Sequence, residues 1–171
     1  MEFFKVIKNR HSIRAFKQKQ VEEKKIIKIL ETINSAPSAG NLQAYEVFLV
    51  KNEEKKKEIA RAAYNQDFIA EAPIVLVFCA NPERSARKYG ERGRRLYSLQ
   101  DATIAAAYSQ LAATALGLSS CWVGAFDEEY LLEVLEINKS LIPVAIIPVG
   151  YANEEPITTS RRNIEDLVKE I

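Results

Sequence analysis

Histidine and cysteine are scarce in this sequence, and their scarcity removes several classes of catalyst. His11 is the only histidine among 171 residues, and no serine or cysteine beside it lies in a nucleophile elbow. Cys79 and Cys121 each lie within an apolar stretch, which favours buried thiols over a disulfide framework or a zinc site. We therefore expect neither hydrolysis by a histidine-activated nucleophile nor a metal centre.

The sequence also lacks glycine-rich phosphate loops, a large net charge and a long apolar run. Neither GxGxxG nor GxxxxGK followed by Ser or Thr occurs, so a bound nucleotide would have to be held by side chains. The 24 Lys and Arg against 23 Asp and Glu give a net charge of +1, which does not favour a nucleic-acid-binding protein. Neither a membrane span nor a signal peptide is predicted, so we expect a cytoplasmic protein.

The length and hydrophobic content predict one domain. A chain of 171 residues, 47% of them hydrophobic, can bury a core without disulfides or metals, and it is too short for two full domains. The predicted domain covers residues 1–171.

Apolar periodicity predicts helices and strands in turn along the chain. In the helix after Asn52, the basic run Lys55–Lys57 is expected on the solvated face. Helices are predicted for residues 2–9, 21–36, 52–63, 96–116, 127–135 and, near the C-terminus, 163–171. Strands are predicted for residues 45–50, 74–80 and 141–152, with a short strand or turn at 119–126.

The helix over residues 102–118 is rich in alanine and apolar almost all round. Such a helix needs cover on every side, and a chain of this length has few elements left to supply it. A partner subunit is the simplest source, so the sequence predicts a homodimer. Ala106 and Ala113 are expected at the subunit interface.

The segment RHSIRAF, residues 10–16, breaks the helical pattern. In an extended chain Arg10, Ser12 and Arg14 lie on one side, and His11, Ile13 and Ala15 on the other. Two guanidinium groups and a hydroxyl on one side suit a phosphate, because arginine offers fixed planar donors and keeps its charge at neutral pH. Pairing of these arginines with surface carboxylates is the alternative.

Five segments in order resemble the nitroreductase family of FMN-dependent oxidoreductases, and together they cover nearly the whole chain. They are RHSIRAF, APSAGNLQAYEVFLV, LGLSSCWVGAF, IPVAIIPVGYA and SRRNIEDLV. The resemblance implies an α+β fold with a central, mostly antiparallel sheet flanked by helices. It further implies an intertwined homodimer with two flavin sites at its interface.

The resemblance also implies which residues bind the cofactor. The flavin phosphate and ribityl chain would be bound by Arg10, His11, Ser12 and Arg14. The phosphate site would be completed by Arg161 or, in the alternative register, by Arg162. The loop that approaches the flavin from the partner subunit contributes Pro37, Ser38, Ala39, Asn41 and Gln43. Backbone groups near flavin N5 come from Val123, Gly124 and Ala125. Ala44 and Tyr45 stand where the family often has a Pro-Trp-like pair.

The implied activity is two-electron transfer from NADH or NADPH, through FMN, to a small-molecule acceptor such as a nitroaromatic or a quinone. The flavin alternates between reduction and reoxidation, so no catalytic side chain is required. Relatives that dehalogenate or fragment flavin offer a second interpretation. A non-catalytic flavin or nucleotide-binding module and a small RNA-associated protein are alternatives from other classes.

The most basic stretch of the chain is residues 84–95, with six Arg and Lys and one interleaved tyrosine. Three interpretations stay open. It is a solvated helix and loop balanced by Glu83 and Glu91, a cover whose arginines meet the phosphates of a nicotinamide cofactor or an acidic substrate, or an RNA-contact patch.

Overall fold

A computed structural model describes residues 2–171, and its centre is a four-stranded antiparallel sheet. The spatial order is β1-β2-β4-β3. The strands are β1 (Tyr45–Val50), β2 (Ile74–Ala80), β3 (Ser119–Ser120) and β4 (Ile142–Gly150). The predicted antiparallel sheet flanked by helices is confirmed.

Six of the helices lie at or near positions that the apolar pattern predicts. Asn52 and Asp127 each accept a hydrogen bond from a backbone N–H three residues later, so they cap the helices that follow them. The helices are α1 (Phe3–Asn9), α2 (Glu23–Asn34), α3 (Glu53–Ala62), α4 (Phe68–Glu71), α5 (Pro82–Arg92), α6 (Ser98–Ala115), α7 (Glu128–Leu135) and α8 (Ile164–Leu167). Helices α4 and α5 were not predicted by the apolar pattern, and α8 is shorter than predicted. No helix within residues 2–171 has the length and apolar character needed to cross a membrane.

Strand β2 is buried on both faces, as its continuous apolar run predicts. Ile74, Leu76 and Phe78 pack with α2 and α6 on one side of the sheet. The alternate residues of β2 pack with α3, α4 and α7 on the other side. The sheet is therefore the middle layer of three, and α6 lies along one of its faces.

Helix α6 is not covered on every side by its own subunit. Ala106 and Ala113 are fully buried against the sheet, so the expectation that they lie at a subunit interface is wrong. The uncovered side of α6 instead carries Thr103, Ala107 and Ala115. A partner that covers α6 would have to cover this second stripe.

The C-terminal tail has no cover of its own. All residues from 153 to 171 are exposed, including the four apolar side chains in and after α8. These recur at helical spacing and are Ile164, Leu167, Val168 and Ile171.

Lys56 departs from the expectation that Lys55–Lys57 form a solvated face. Its side chain is 2% exposed, and its Nζ donates to the carbonyl oxygen of Ala72 at 2.6 Å. Glu53 Oε1 lies 2.9 Å from the same nitrogen. The ammonium group therefore ties α3 to the chain just before β2, and the long aliphatic stem accounts for the burial.

Replacing Lys56 by Met keeps the side-chain volume but leaves the buried Ala72 carbonyl without a donor. We expect the free energy of unfolding to fall by about 1–3 kcal/mol, measured by urea denaturation. The matched change Lys57→Met removes only an exposed pair with Glu54 and should alter it by less than about 0.5 kcal/mol. Equal stability of the two variants would contradict a buried structural role for Lys56.

Candidate functional site

The segment that carries Arg10, Ser12 and Arg14 is extended and is held at the edge of the sheet. The Ile13 N–H donates to the Ser120 carbonyl oxygen at 3.1 Å, and the Lys17 N–H to that of Tyr151 at 2.9 Å. Ile13 and Phe16 are buried, which fixes the segment against the core. This packing decides which side of the segment faces out.

The polar side of the segment is open and cationic. Ser12 and Arg14 are exposed and Arg10 is half-buried. Neither arginine forms a salt bridge within residues 2–171, although the Arg14 N–H donates to the Glu154 carboxylate. The two arginine side chains therefore do not form the surface ion pairs of the alternative interpretation. Two guanidinium groups are left for an anion, with the Ser12 hydroxyl beside them.

The polar side of the segment lies close to Cys121, the first residue after β3. Burial raises the pKa of the Cys121 thiol, while Arg14, a hydrogen bond with Ser12, and Arg10 act in the opposite direction. The charges of Arg10 and Arg14 therefore act on this buried thiol. The arginine segment also bridges to Ser120, so it lies beside the start of the turn of residues 121–125.

The turn after Cys121 offers backbone donors at two positions. The Val123 N–H donates to the Ile146 carbonyl oxygen at 3.0 Å, so it is bound to the sheet. Gly124 and Ala125 are exposed, and their N–H groups have no hydrogen-bond partner within residues 2–171. Of the three residues predicted here, only these two present free amides.

The loop of residues 37–43 is ordered by Asp101, a buried carboxylate in the first turn of α6. Its Oδ1 accepts from the Ala39 N–H at 2.9 Å and its Oδ2 from the Ala44 N–H at 3.3 Å. Within the loop the Ser38 hydroxyl oxygen accepts from the Gln43 N–H at 3.0 Å. Asp101 was not among the predicted site residues. A carboxylate inside an apolar helix was the available signal, because such a group needs partners.

Three residues of the loop have positive φ: Gly40 at 57°, Asn41 at 57° and Gln43 at 42°. At Gly40 a Cβ would collide with the Tyr89 hydroxyl and crowd Lys88 Nζ. Glycine is therefore favoured at position 40 by the backbone conformation, and any side chain there would have to displace the ends of Tyr89 and Lys88.

The arginine segment and the loop lie at different ends of α6 within one subunit. Asp101 holds the loop, whereas Gln110 Nε2 donates to the Ser120 hydroxyl at 3.3 Å, beside the arginine segment. Nine residues of helix separate these two contacts, a rise of about 13 Å. Within residues 2–171 no hydrogen bond joins the loop directly to the arginine segment.

Three further predicted residues lie away from the cationic surface. His11 lines a small cavity of about 70 Å³ together with Ile13, on the other side of the segment from the arginines. Arg161 and Arg162 are exposed in the tail, and within residues 2–171 Arg161 donates only to its neighbours Thr159 and Ser160. No group of His, Cys, Asp and Glu within the described part of the chain could hold a metal ion.

Comparison with known proteins gives consistent matches over most of the chain. Residues 7–66 and 58–151 match the Nitroreductase family model. A protein of Archaeoglobus fulgidus, provisionally named an NADH dehydrogenase/NAD(P)H nitroreductase, is 31% identical over 90% of this chain and 87% of its own length.

Solved structures give the same result and confirm the predicted fold. A nitroreductase family protein from Clostridium novyi NT has a TM-score of 0.83 at 33% identity, covering 90% of this chain and 87% of its own. An FMN-dependent nitroreductase from Clostridium difficile R20291 has a TM-score of 0.78 at 30% identity, covering 94% of this chain and 92% of its own.

The role of Asp101 can be tested by Asp101→Asn. The amide keeps one acceptor but turns an NH₂ group towards a backbone N–H, so we expect a loss of about 1–3 kcal/mol in unfolding free energy. Hydrogen exchange should become faster at the Ala39 and Ala44 amides than elsewhere. Asn138→Asp, which changes an exposed side chain far along the chain, is the control. Unchanged protection at both amides would show that the loop is held by other contacts.

Proposed function

Because the chain belongs to the nitroreductase family, we propose that it is an oxidoreductase that binds FMN and takes electrons from NADH or NADPH. FMN, when bound, carries the hydride between donor and acceptor, so the protein need supply only binding, orientation and electrostatics. A small nitroaromatic or quinone is the proposed acceptor, reduced in alternation with oxidation of the donor.

The observation that carries this proposal is the joining of the arginine segment to the turn at Gly124. Arg10, Ser12 and Arg14 offer charged and neutral donors with no competing salt bridge, which suits the FMN phosphate. The free amides of Gly124 and Ala125 lie four and five residues after Ser120, to which the segment bridges, and suit the polar edge of an aromatic ring. A phosphate site with free amides beside it matches what a mononucleotide requires.

The remaining contacts in the proposal come from the partner subunit. We propose that the partner's loop contacts the flavin, since this loop lies at the far end of α6 from its own arginines. The loop residues concerned are Pro37, Ser38, Ala39, Asn41 and Gln43. Arg161 or Arg162 completes the phosphate site from the exposed tail. Each site is then composite, and a monomer holds only half of it.

Exposed apolar surface supports a homodimer. The open stripe of α6 continues into a cavity of about 480 Å³ between α1 and α6, lined by Phe3, Tyr108 and Leu111 among others. Phe4 is 75% exposed and the apolar tail residues are uncovered. Large exposed apolar patches mark interfaces, and an obligate interface buries more than about 2,000 Å².

A second cavity supports a flat aromatic acceptor. It has a volume of about 600 Å³ and borders the loop that we place beside the flavin. Its lining is mainly apolar and includes Pro37, Tyr97, Leu99 and Ile104. Apolar walls with few polar groups suit a nitroaromatic or a quinone.

The proposed function is tested by the spectrum of the purified protein and by NAD(P)H oxidation. We expect a yellow protein that releases FMN on denaturation and oxidises NADH or NADPH when a quinone is added. A flavin-free protein that takes up no added FMN would refute the proposal. Bound FMN without donor oxidation would favour a non-catalytic flavin-binding module.

Arg10→Ala and Arg14→Ala should each weaken FMN binding. A hydrogen bond to a charged group contributes about 1.5–3 kcal/mol, so the Kd should rise about tenfold or more. The melting temperature of the apoprotein should change little, because both side chains lack protein partners. Lys17→Ala removes an exposed cation from the same segment and serves as the control. Unchanged FMN affinity in both arginine variants would show that the FMN phosphate does not bind at this surface.

Ala107→Glu should dissociate the dimer and release FMN together, because it places a carboxylate on the open stripe of α6. Light scattering and flavin absorbance on the same sample measure both effects. Lys57→Glu adds a carboxylate on α3, on the other side of the sheet, and should leave mass and flavin unchanged. A monomeric Ala107→Glu variant with full FMN would show that each site is complete within one subunit.

A further inference from the structure

The positive charge of the chain is concentrated in and just after α5. Residues 83–95 contain six basic and two acidic side chains, a net charge of +4, whereas the whole chain carries +1. Both carboxylates are used by one arginine, since Glu83 and Glu91 each pair with Arg94. The other cations of this stretch form no salt bridge within residues 2–171.

One of these cations is held in a fixed position. Arg92 Nε donates to the Tyr97 hydroxyl at 2.9 Å, and its guanidinium lies 5.4 Å from the centre of the same ring. These contacts leave both Nη groups of Arg92 without a protein acceptor. A planar fork whose orientation is already set loses little entropy on binding an anion.

A second arginine lines the same cavity. Arg92 and Arg95 border a cavity of about 420 Å³ together with Glu91 and Leu96. Arg95 is exposed and forms no salt bridge or side-chain hydrogen bond within residues 2–171. It lies three residues from Arg92, on the same side of the helical turn. Because the Glu91 carboxylate pairs with Arg94, two guanidinium groups in one cavity are left for an anion.

Aromatic contacts connect this cavity to the loop of residues 37–43. The Tyr97 ring meets that of Tyr89 edge to face at 5.1 Å between centres. Tyr89 in turn packs on Gly40, and Arg84 Nε donates to the Leu42 carbonyl oxygen at 2.6 Å. Tyr97 also borders the 600 Å³ cavity beside the loop. Tyr97 therefore connects the arginine cavity to the cavity beside this loop, where the proposed function places the acceptor.

We propose that Arg92 and Arg95 form an anion subsite that binds the 2′-phosphate of the electron donor and so select NADPH over NADH. The inference rests on the proposed function, because it requires that the protein oxidises a nicotinamide dinucleotide at a flavin beside the loop. The two donors differ only in that phosphomonoester, a dianion well matched to two arginines. No Rossmann-type acidic residue is needed for this selection.

The experiment compares Arg95→Gln with Arg87→Gln in the FMN-loaded protein. Arg87→Gln removes the same charge from α5 but lies outside the cavity. For Arg95→Gln we expect the KM for NADPH to rise about tenfold, with an unchanged KM for NADH and unchanged flavin content. Arg87→Gln should change the NADPH and NADH values alike and only slightly.

A binding measurement gives a readout that does not depend on turnover. Calorimetry with adenosine 2′,5′-bisphosphate should show Kd about tenfold weaker for Arg95→Gln than for the unaltered protein. Binding of 5′-AMP should be the same in both. Equal effects of Arg95→Gln and Arg87→Gln, or equal KM values for NADPH and NADH in the unaltered protein, would overturn the subsite. A protein without FMN or donor oxidation would instead overturn the proposed function.

Discussion

The packing of α6 along the sheet is the constraint on which the rest of the structure depends. The buried alanines of α6 pack against β2 and β4, and this packing sets the positions of the residues near both ends of the helix. The first turn presents Asp101 to the loop of residues 37–43, while Gln110 bonds to Ser120 beside the arginine segment. A rigid helix thus separates the two halves of the proposed site by about 13 Å, and in our proposal a second subunit brings the loop to the arginines.

The basic side chains divide into those that stabilise the fold and those that are available to bind ligands. Cations with structural roles are paired: Lys56 bonds to the Ala72 carbonyl and Glu53, and Arg94 meets two carboxylates. Arg10, Arg14 and Arg95 have no salt-bridge partner in the described chain. Exposed arginines without carboxylates contribute little to the stability of the fold. Their arrangement around open surfaces is explained by anions that the protein binds, in our account the phosphates of FMN and of the donor.

Local patterns predicted most of the fold. The apolar run of β2, the alternation of residues 10–15 and the caps at Asn52 and Asp127 depend on near neighbours in the chain, so their structure followed from the sequence. Lys56 was misassigned because its partner, the Ala72 carbonyl, is distant in sequence. Ala106 and Ala113 were misassigned because an all-apolar helix does not reveal which side meets the sheet. The hydrogen bonds of Asp101 and the packing of α5 on Gly40 likewise depend on tertiary contacts that no local pattern encodes.

The most direct test of the composite site is co-expression of two variants that each fail to hold FMN. One carries Arg10→Ala and Arg14→Ala, and the other carries Asn41→Ala and Gln43→Ala in the loop. A mixed dimer would join intact arginines of one subunit to the intact loop of the other, so random pairing should restore FMN at about one quarter of all sites. Flavin absorbance per subunit in the purified mixture measures this fraction. Recovery near that level is the predicted result, and a mixture as colourless as its two parents would contradict the account.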